Sequence, residues 1–191
     1  MQTVPPNSPL ATVDWRDGSL LGPGVQQSEK TLGQLQAVFS DRSEFAAMDP
    51  SQVVYRVQWV PAEGANQEGG LLWGNTTIQP GRVGDEYFMT HGHFHLKRDR
   101  AEFYATVQGE GMLVLMDENR RGSYEPMKPG SLHYINGNVA HRVVNTGSSQ
   151  LRFVACWPTD AGHDYGTIAE EGFSLRVLCR AGLATVVRSD R

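Results

Sequence analysis

From Ser51 onward, the sequence alternates between short runs rich in β-branched and aromatic residues and short groups of turn-forming residues. Such runs are typical of β-strands. We predict strands at Val53–Val60, Leu71–Ile78, Glu86–His95, Ala101–Val107, Met112–Met116, Leu132–Ile135, His141–Asn145, Leu151–Trp157 and Phe173–Leu178. Turns are predicted at Pro61–Gly70, Gln108–Gly111, Asn136–Asn138 and Asn145–Ser148. Because no helical pattern separates these runs, an antiparallel sandwich or barrel is favoured over an α/β fold.

Short helices are predicted only before the first of these strands. The Pro- and Gly-rich first 27 residues favour an extended chain with a frayed start. Apolar residues then recur at helical spacing, which predicts a helix over Ser28–Phe39 with Ser28 or Thr31 as its cap. Another turn of helix is predicted over Ser43–Met48, before Pro50.

Length and composition exclude several classes of protein. The 191 residues suit one compact domain, which we divide into an N-terminal extension at 1–50 and a β-barrel domain at 51–191. A formal net charge of −4 gives no electrostatic reason to expect a nucleic acid or a membrane as partner. Because no membrane-spanning run or signal-peptide pattern is present, we expect a cytoplasmic protein. Cys156 and Cys179 lack CxxC spacing and are interpreted as buried free thiols.

Three of the six histidines, His91, His93 and His95, lie within five positions. A regular strand would point all three rings to one face. Glu102 follows in the next predicted strand, and a carboxylate beside imidazoles suits Fe, Mn, Ni, Co or Zn in a site that still admits substrate. We therefore predict a metal site rather than surface histidines on a polar strand. A further ligand could come from His133, His141 or His163.

The residues around this cluster resemble two motifs of the cupins, which are small jelly-roll metalloproteins. The first motif is similar to His93-Phe94-His95, Glu102 and Gly109, and the second to His141 followed by Asn145. The gap between His95 and Glu102 is longer than is common in cupins, and it matches one branch of them. Four segments closely resemble the cupin-type glucose-6-phosphate isomerases: Thr90–His95, Glu102–Tyr104, Gly109–Gly111 and Ala161–Gly166. The similarity extends from about Val53 to Phe173.

This resemblance implies a cupin jelly-roll β-barrel of two antiparallel sheets, assembled as a homodimer. It implies one divalent metal ion per subunit, with the ligands His93, His95, Glu102 and His141. It assigns Thr76, Thr90, Gly92 and Tyr104 to a substrate phosphate, and Tyr55, His163 and Tyr165 to the sugar. His91 is left with a supporting or solvent role. Where the family usually has a proline-rich turn, this chain has Asn136-Gly137-Asn138, which can make the same reversal.

The activity implied by the resemblance is the interconversion of glucose 6-phosphate and fructose 6-phosphate. Glu102 is the candidate base for proton transfer between C1 and C2, and a metal-polarised hydride shift is the alternative route. No P-loop is present, so neutral donors would hold the phosphate. The residues leave three functions open: this isomerase, a cupin enzyme acting on another substrate such as mannose 6-phosphate, and a non-enzymatic sugar- or metal-binding cupin.

Overall fold

The structure, a computed structural model, describes residues 6–61 and 66–189 of the chain. The first five residues of the N-terminal extension and part of the turn predicted at Pro61–Gly70 lie outside these ranges. The strands are β1 Thr12–Asp14, β2 Ser19–Leu21, β3 Gln26–Thr31, β4 Val53–Val60, β5 Leu71–Ile78, β6 Arg82–Val83, β7 Glu86–Tyr87, β8 Glu102–Gln108, β9 Gly111–Asp117, β10 Gly122–Met127, β11 Leu132–Ile135, β12 Val139–Asn145, β13 Leu151–Pro158, β14 Leu175–Arg180 and β15 Leu183–Arg188. The helices are a 3₁₀ turn at Gly33–Leu35, α1 Arg42–Ala46 and α2 Gly166–Glu171.

Apart from β1 and β2, which pair with each other in a separate two-stranded sheet, the strands form two layers of antiparallel sheet. Six strands make one sheet in the order β11-β8-β13-β5-β4-β3. A three-stranded sheet, β10-β9-β12, and a four-stranded sheet, β15-β14-β7-β6, form the other layer. After β7 the chain runs along the edge of β12. It is joined to that strand by antiparallel bridges from Met89 to Val144 and from His93 to His141. The two smaller sheets are thereby connected.

One buried cluster fills the space between the layers. Tyr104 of β8 and Phe153 of β13 enter it from the six-stranded sheet, and Leu113 of β9 and Val143 of β12 enter it from the other layer. Alternate residues of each strand face inward, as the pleat of a strand requires. This arrangement confirms the predicted all-β jelly-roll barrel of two antiparallel sheets.

The helix predicted over Ser28–Phe39 is wrong. Its first residues belong to β3, which pairs with β4 at the edge of the six-stranded sheet, so neither Ser28 nor Thr31 caps a helix. The ladder to β4 satisfies this backbone, and only the 3₁₀ turn is helical. The apolar residues that suggested a helix are buried: Leu32, Leu35 and Phe39. The second helix is confirmed as α1, whose cap Asp41 accepts a hydrogen bond from the Glu44 N–H at 3.0 Å.

Most predicted strands overlap observed ones. The elements that were not predicted are the strands β1, β2, β3, β6, β10 and β15 and the helix α2. β10 contains Glu125 and Pro126 and is largely exposed, so it lacks the apolar alternation by which a strand is identified. Cys156 and Cys179 are free thiols as predicted, but they are half-buried rather than buried. Among the described residues, no helix has the length and apolarity needed to cross a bilayer.

Gly109, in the turn between β8 and β9, has a φ of +81°. A Cβ here would collide with the Gln150 carbonyl oxygen and lie 2.9 Å from the Leu151 Cα. We expect Gly109→Ala to lower the free energy of unfolding by about 3 kcal/mol, because the unfavourable φ and the collision act together. Thermal unfolding would then show a midpoint lower by roughly 6–12 °C.

Gly130→Ala is the matched control for this variant. Gly130 has a similar φ of +87°, but an added Cβ would meet nothing within 4 Å. The control therefore measures the backbone cost alone, about 1 kcal/mol. Equal losses of stability in the two variants would contradict the predicted collision.

Candidate active site

Four side chains that the sequence predicted as metal ligands converge at one end of the barrel. One ligand atom from each of His93, His95, Glu102 and His141 lies within 4.8 Å of the others. Glu102 begins β8, His141 lies on β12, and His93 is bridged to His141 across the barrel edge. His95, Glu102 and His141 are buried. The fold thus brings together donors that are up to 48 positions apart in the sequence.

The turn that replaces the expected proline-rich turn does not misdirect His141. Asn138 takes the left-handed conformation, with a φ of +61°, directly before β12. Asn tolerates this conformation better than most residues. The predicted Asn136–Asn138 turn therefore reverses the chain, and His141 joins the ligand group.

Hydrogen bonds orient the His95 ring for ligation. Its Nδ1 lies 2.8 Å from the Arg100 carbonyl oxygen, an arrangement in which Nδ1 carries the hydrogen. Nε2 then faces Glu102 Oε2 at 3.0 Å. Metal-binding histidines are commonly held in this way, because a bond to one ring nitrogen fixes the tautomer that exposes the other.

The protonation states of the group fit a divalent cation. Burial, followed by the neighbouring His141, lowers the pKa of His93 well below its usual range, so this ring is neutral. Burial alone would raise the pKa of Glu102, but His141 and His95 lower it below its usual range. Burial opposes protonation of His95, but its hydrogen bond with Glu102 raises the pKa of that ring. A proton and a metal ion therefore compete for the contact between His95 and Glu102.

A buried nitrogen without a hydrogen-bond partner is the clearest sign that the group fits an ion. His141 Nε2 lies 3.2 Å from Glu102 Oε2, but the pair lacks hydrogen-bond geometry, and no other described residue bonds to this nitrogen. Buried polar atoms are rarely left unsatisfied in proteins. Three imidazoles and a carboxylate would satisfy a divalent transition metal or zinc while leaving positions for substrate.

The strand predicted at Glu86–His95 is wrong beyond Tyr87. The chain takes four steps from Met89 to His93, whereas its bridge partners on β12 are three steps apart. One extra residue is therefore inserted, and Gly92, with a φ of +75°, has the left-handed conformation typical of a β-bulge. The bulge interrupts the regular alternation of side chains that was predicted for His91, His93 and His95.

The ligand group lies in a cavity of about 130 Å³. All seven residues that the resemblance assigned to substrate line this cavity: Tyr55, Thr76, Thr90, Gly92, Tyr104, His163 and Tyr165. Further lining residues were not predicted, among them Val57, Phe153, Ala155 and Trp157. Phe153, Ala155 and Trp157 share one face of β13, so the strand period could have identified them as a group once Phe153 was placed inside.

Two of the residues that line the cavity, Thr90 and Tyr104, are neutral hydrogen-bond donors. Thr90 Oγ1 accepts a hydrogen bond from the Val143 N–H at 3.0 Å, which leaves the Thr90 hydroxyl hydrogen for another acceptor. Burial, and then the charge of Glu102, raises the pKa of Tyr104 well above its usual range. Tyr104 therefore keeps its hydroxyl hydrogen and is a donor.

Three stacked rings form the mouth of the cavity. Tyr165 stacks on His163 with an interplanar angle of 3° and on His91 with a centroid distance of 4.7 Å. His163 in turn lies 4.4 Å from the His93 ring. His91 is outside the ligand group, and it supports the ring that covers the site.

The loop that carries His163 and Tyr165 is tied to the charged segment Lys97–Arg100. Arg98 pairs with Asp164 at 2.6 Å, and Arg100 pairs with the buried Asp160 at 2.8 Å. This segment occupies the long interval between His95 and Glu102. The unusual spacing therefore includes Arg98 and Arg100, the two residues that hold the loop at the mouth of the cavity.

His133 is buried outside the site, although the sequence allowed it as a ligand. Its Nδ1 lies 2.6 Å from Glu125 Oε2, and its Nε2 lies 2.8 Å from Ser131 Oγ. Ser131 Oγ also bonds to Thr106 Oγ1 at 3.0 Å. This network links β8, β10 and β11 and gives both ring nitrogens a hydrogen-bond partner. His133 therefore has a structural role and is not a metal ligand.

Comparison with known proteins identifies relatives over nearly the whole chain. A family model described as glucose-6-phosphate isomerase matches residues 29–191. The glucose-6-phosphate isomerase of Pyrococcus horikoshii is 40% identical over 183 residues, which cover 94% of this chain and 94% of that protein. The enzyme of the same name from Thermococcus kodakarensis is 41% identical over 172 residues, 88% of this chain and 89% of that protein. The one from Sinorhizobium medicae is 34% identical over 164 residues, 84% of this chain and 75% of that protein.

Solved structures show a more distant likeness. Oxalate decarboxylase from Bacillus subtilis is 16% identical and has a TM-score of 0.45, covering 57% of this chain and 26% of that one. A formate complex of oxalate decarboxylase from Lactobacillus farciminis is 17% identical and has a TM-score of 0.46, covering 58% of this chain and 30% of that one.

Proposed function

Because the chain belongs to the glucose-6-phosphate isomerase family, we propose that it interconverts glucose 6-phosphate and fructose 6-phosphate in the cavity above the ligand group. The observation that carries this proposal is the position of His93, His95, Glu102 and His141 in the same cavity as neutral donors suited to a phosphosugar. A divalent ion held by these four residues would act as a Lewis acid toward the oxygens on C1 and C2.

We assign the phosphate to the side of the cavity next to the bulge. Thr76, Thr90, Gly92 and Tyr104 line the cavity. The Thr90 and Tyr104 hydroxyls retain their hydrogens, and a glycine lets a backbone N–H approach an anion closely. Hydrogen bonds from neutral donors bind the dianion without a cationic side chain in direct contact with it.

Glu102 is assigned the transfer of a proton between C1 and C2. His95 and His141 both contact the same oxygen, Oε2, so Oε1 lies outside these two contacts. The carboxylate can therefore take part in the ligand group through one oxygen and receive a proton on the other. This division of tasks favours proton transfer over the hydride shift that the sequence left open.

The sugar is assigned to the mouth of the cavity. Tyr55, His163 and Tyr165 line the cavity, and each offers a hydroxyl or ring nitrogen to sugar hydroxyls as well as an aromatic face. The stacked rings would cover the bound substrate and exclude water from the reacting carbons.

We further propose that the protein is a cytoplasmic homodimer in which residues 1–50 extend a barrel formed by 51–191. The surface that we propose for the contact between the two subunits is the outer face of the six-stranded sheet. Trp73, Phe103 and Tyr134 lie in one row across paired strands and are 36%, 46% and 50% exposed. Exposed apolar patches of this kind commonly mark protein–protein contacts. Light scattering tests this assignment: a mass of two chains is expected, and a monomer would contradict it.

Assays with several sugar phosphates test the proposed activity. We expect the purified protein to convert fructose 6-phosphate to glucose 6-phosphate and the reverse, with lower turnover on mannose 6-phosphate. Faster turnover on mannose 6-phosphate would favour another sugar specificity. Binding of sugar phosphates without any turnover would contradict an isomerase and favour a sugar-binding cupin.

A further inference from the structure

The peptide bond between His91 and Gly92 lies between the assigned phosphate site and a buried arginine. Its carbonyl oxygen accepts two hydrogen bonds from Arg142, one from Nη2 at 2.6 Å and one from Nε at 3.2 Å. Gly92 also lines the cavity. Within the part of the chain that the structure describes, no residue accepts a hydrogen bond from the Gly92 N–H. One end of this peptide is therefore fixed, and the other end is free to donate.

The geometry of a trans peptide gives the direction of that free N–H. The C=O and N–H of a planar trans peptide point in opposite directions, and the described chain has no cis peptide bond. Arg142 follows His141 on β12, so its side chain leaves the opposite face of the strand from the ligand group. Because the His91 carbonyl points toward Arg142, the Gly92 N–H points toward the side of the ligand group.

Arg142 is a buried cation without a carboxylate partner of its own. It is 8% exposed, and no described carboxylate is within ion-pair distance of it. Glu86 faces the same region but already bonds to Arg176 at 3.0 Å and to the Ser40 N–H at 2.6 Å. The guanidinium instead lies over the Phe173 ring at 4.4 Å. Burying a charge in this way is costly unless an opposite charge or dipole compensates it.

Close packing holds the bulge against this arginine. A Cβ on Gly92 would lie 2.6 Å from the Phe173 ring and 3.0 Å from Arg142 Nε. Only glycine therefore allows the peptide to rest on the guanidinium, and its φ of +75° has the same requirement. Arg142, Phe173 and Gly92 together fix the orientation of one backbone donor.

We propose that Arg142 is a positioning residue that holds the His91–Gly92 peptide with its N–H directed at the substrate phosphate. Two charged hydrogen bonds to the carbonyl polarise the peptide and make its N–H a stronger donor. The positive charge, separated from the anion by this peptide, also attracts the anion electrostatically. The identification of the anion as a sugar phosphate rests on the proposed function. The binding of an anion by the oriented N–H is independent of it.

Titration calorimetry with inorganic phosphate tests the role of Arg142. We expect Arg142→Met to weaken phosphate binding by about tenfold or more, because hydrogen bonds that involve a charged group contribute most. Arg142→Lys, which keeps the charge and loses the paired donors, should weaken it less. KM for fructose 6-phosphate should rise in the same order, with kcat changed much less than KM. Phosphate affinity equal to wild type in either folded variant would overturn the proposal.

The amide resonance of Gly92 distinguishes positioning from general damage to the fold. We expect phosphate to shift the ¹⁵N–¹H signal of Gly92 in the wild type and to shift it less in Arg142→Lys and Arg142→Met. Arg152→Met is the matched control, because Arg152 bonds to Asp17 and Gln150 and does not line the cavity; its phosphate affinity should equal wild type. A Gly92 signal that phosphate does not move would overturn the proposal.

The two proposals fail in different ways. A wild-type protein that binds phosphate through Arg142 but does not isomerise sugar phosphates would contradict the proposed function alone. An active isomerase whose phosphate affinity does not depend on Arg142 would contradict the positioning role alone.

Discussion

Replacing Glu102 with glutamine is expected to reduce kcat for fructose 6-phosphate by about 10²–10⁴-fold, the range typical for loss of a general acid–base group. Glutamine has the same shape and can still offer one oxygen to a metal ion, but it cannot accept and return a proton. Because the phosphate donors are elsewhere in the cavity, KM should change much less than kcat. Steady-state kinetics together with metal analysis of the variant would check this result.

Glu125→Gln is the matched control for this prediction. Glu125, like Glu102, bonds to a buried histidine, His133, but it lies outside the cavity. Its turnover should stay close to that of the wild type. A Glu102→Gln variant that keeps its metal and nearly full turnover would contradict the role of Glu102 in proton transfer and favour a hydride shift.

Removing the third imidazole is expected to have the largest effect on metal binding. His141→Ala leaves His93, His95 and Glu102, and it opens a gap in a buried group whose atoms lie within 4.8 Å of one another. Loss of a residue that only orients a ligand costs about 10–100-fold in metal affinity, and we expect loss of a ligand itself to exceed that range. Titration of the stripped protein with zinc would measure this change, and turnover should fall in parallel.

His133→Ala controls for the loss of a buried histidine as such. His133 is 4% exposed and His141 is 2% exposed, so both variants create a cavity in the barrel. The control should lose stability through its broken bonds to Glu125 and Ser131 while retaining the affinity for zinc. Similar losses of metal affinity in the two variants would show that fold damage, rather than ligation, explains the His141 result.

Part of the site was predictable from local rules. Tyr104 shares a strand face with Glu102, and the strand that carries both, β8, is clear in the apolar pattern. The motif resemblance added His141, whose position in the chain alone did not separate it from His133. The structure separates them: His141 Nε2 lacks a hydrogen bond among the described residues, whereas both nitrogens of His133 are bonded.

The features that sequence patterns missed depend on contacts between distant residues. Arg142 bonds to a carbonyl 51 positions earlier, and Arg98 reaches Asp164 across 66 positions. The bulge at Gly92 depends on its pairing with β12, which no local pattern contains. β3 became a strand because an edge of the sheet offered it partners, which outweighed its helical spacing.

Metal analysis combined with isomerase assays before and after chelation shows whether the protein is a metal-dependent isomerase. We expect one divalent ion per chain, loss of fructose 6-phosphate turnover when the ion is removed, and recovery when a divalent ion is returned. Stripped protein with undiminished turnover would contradict metal dependence.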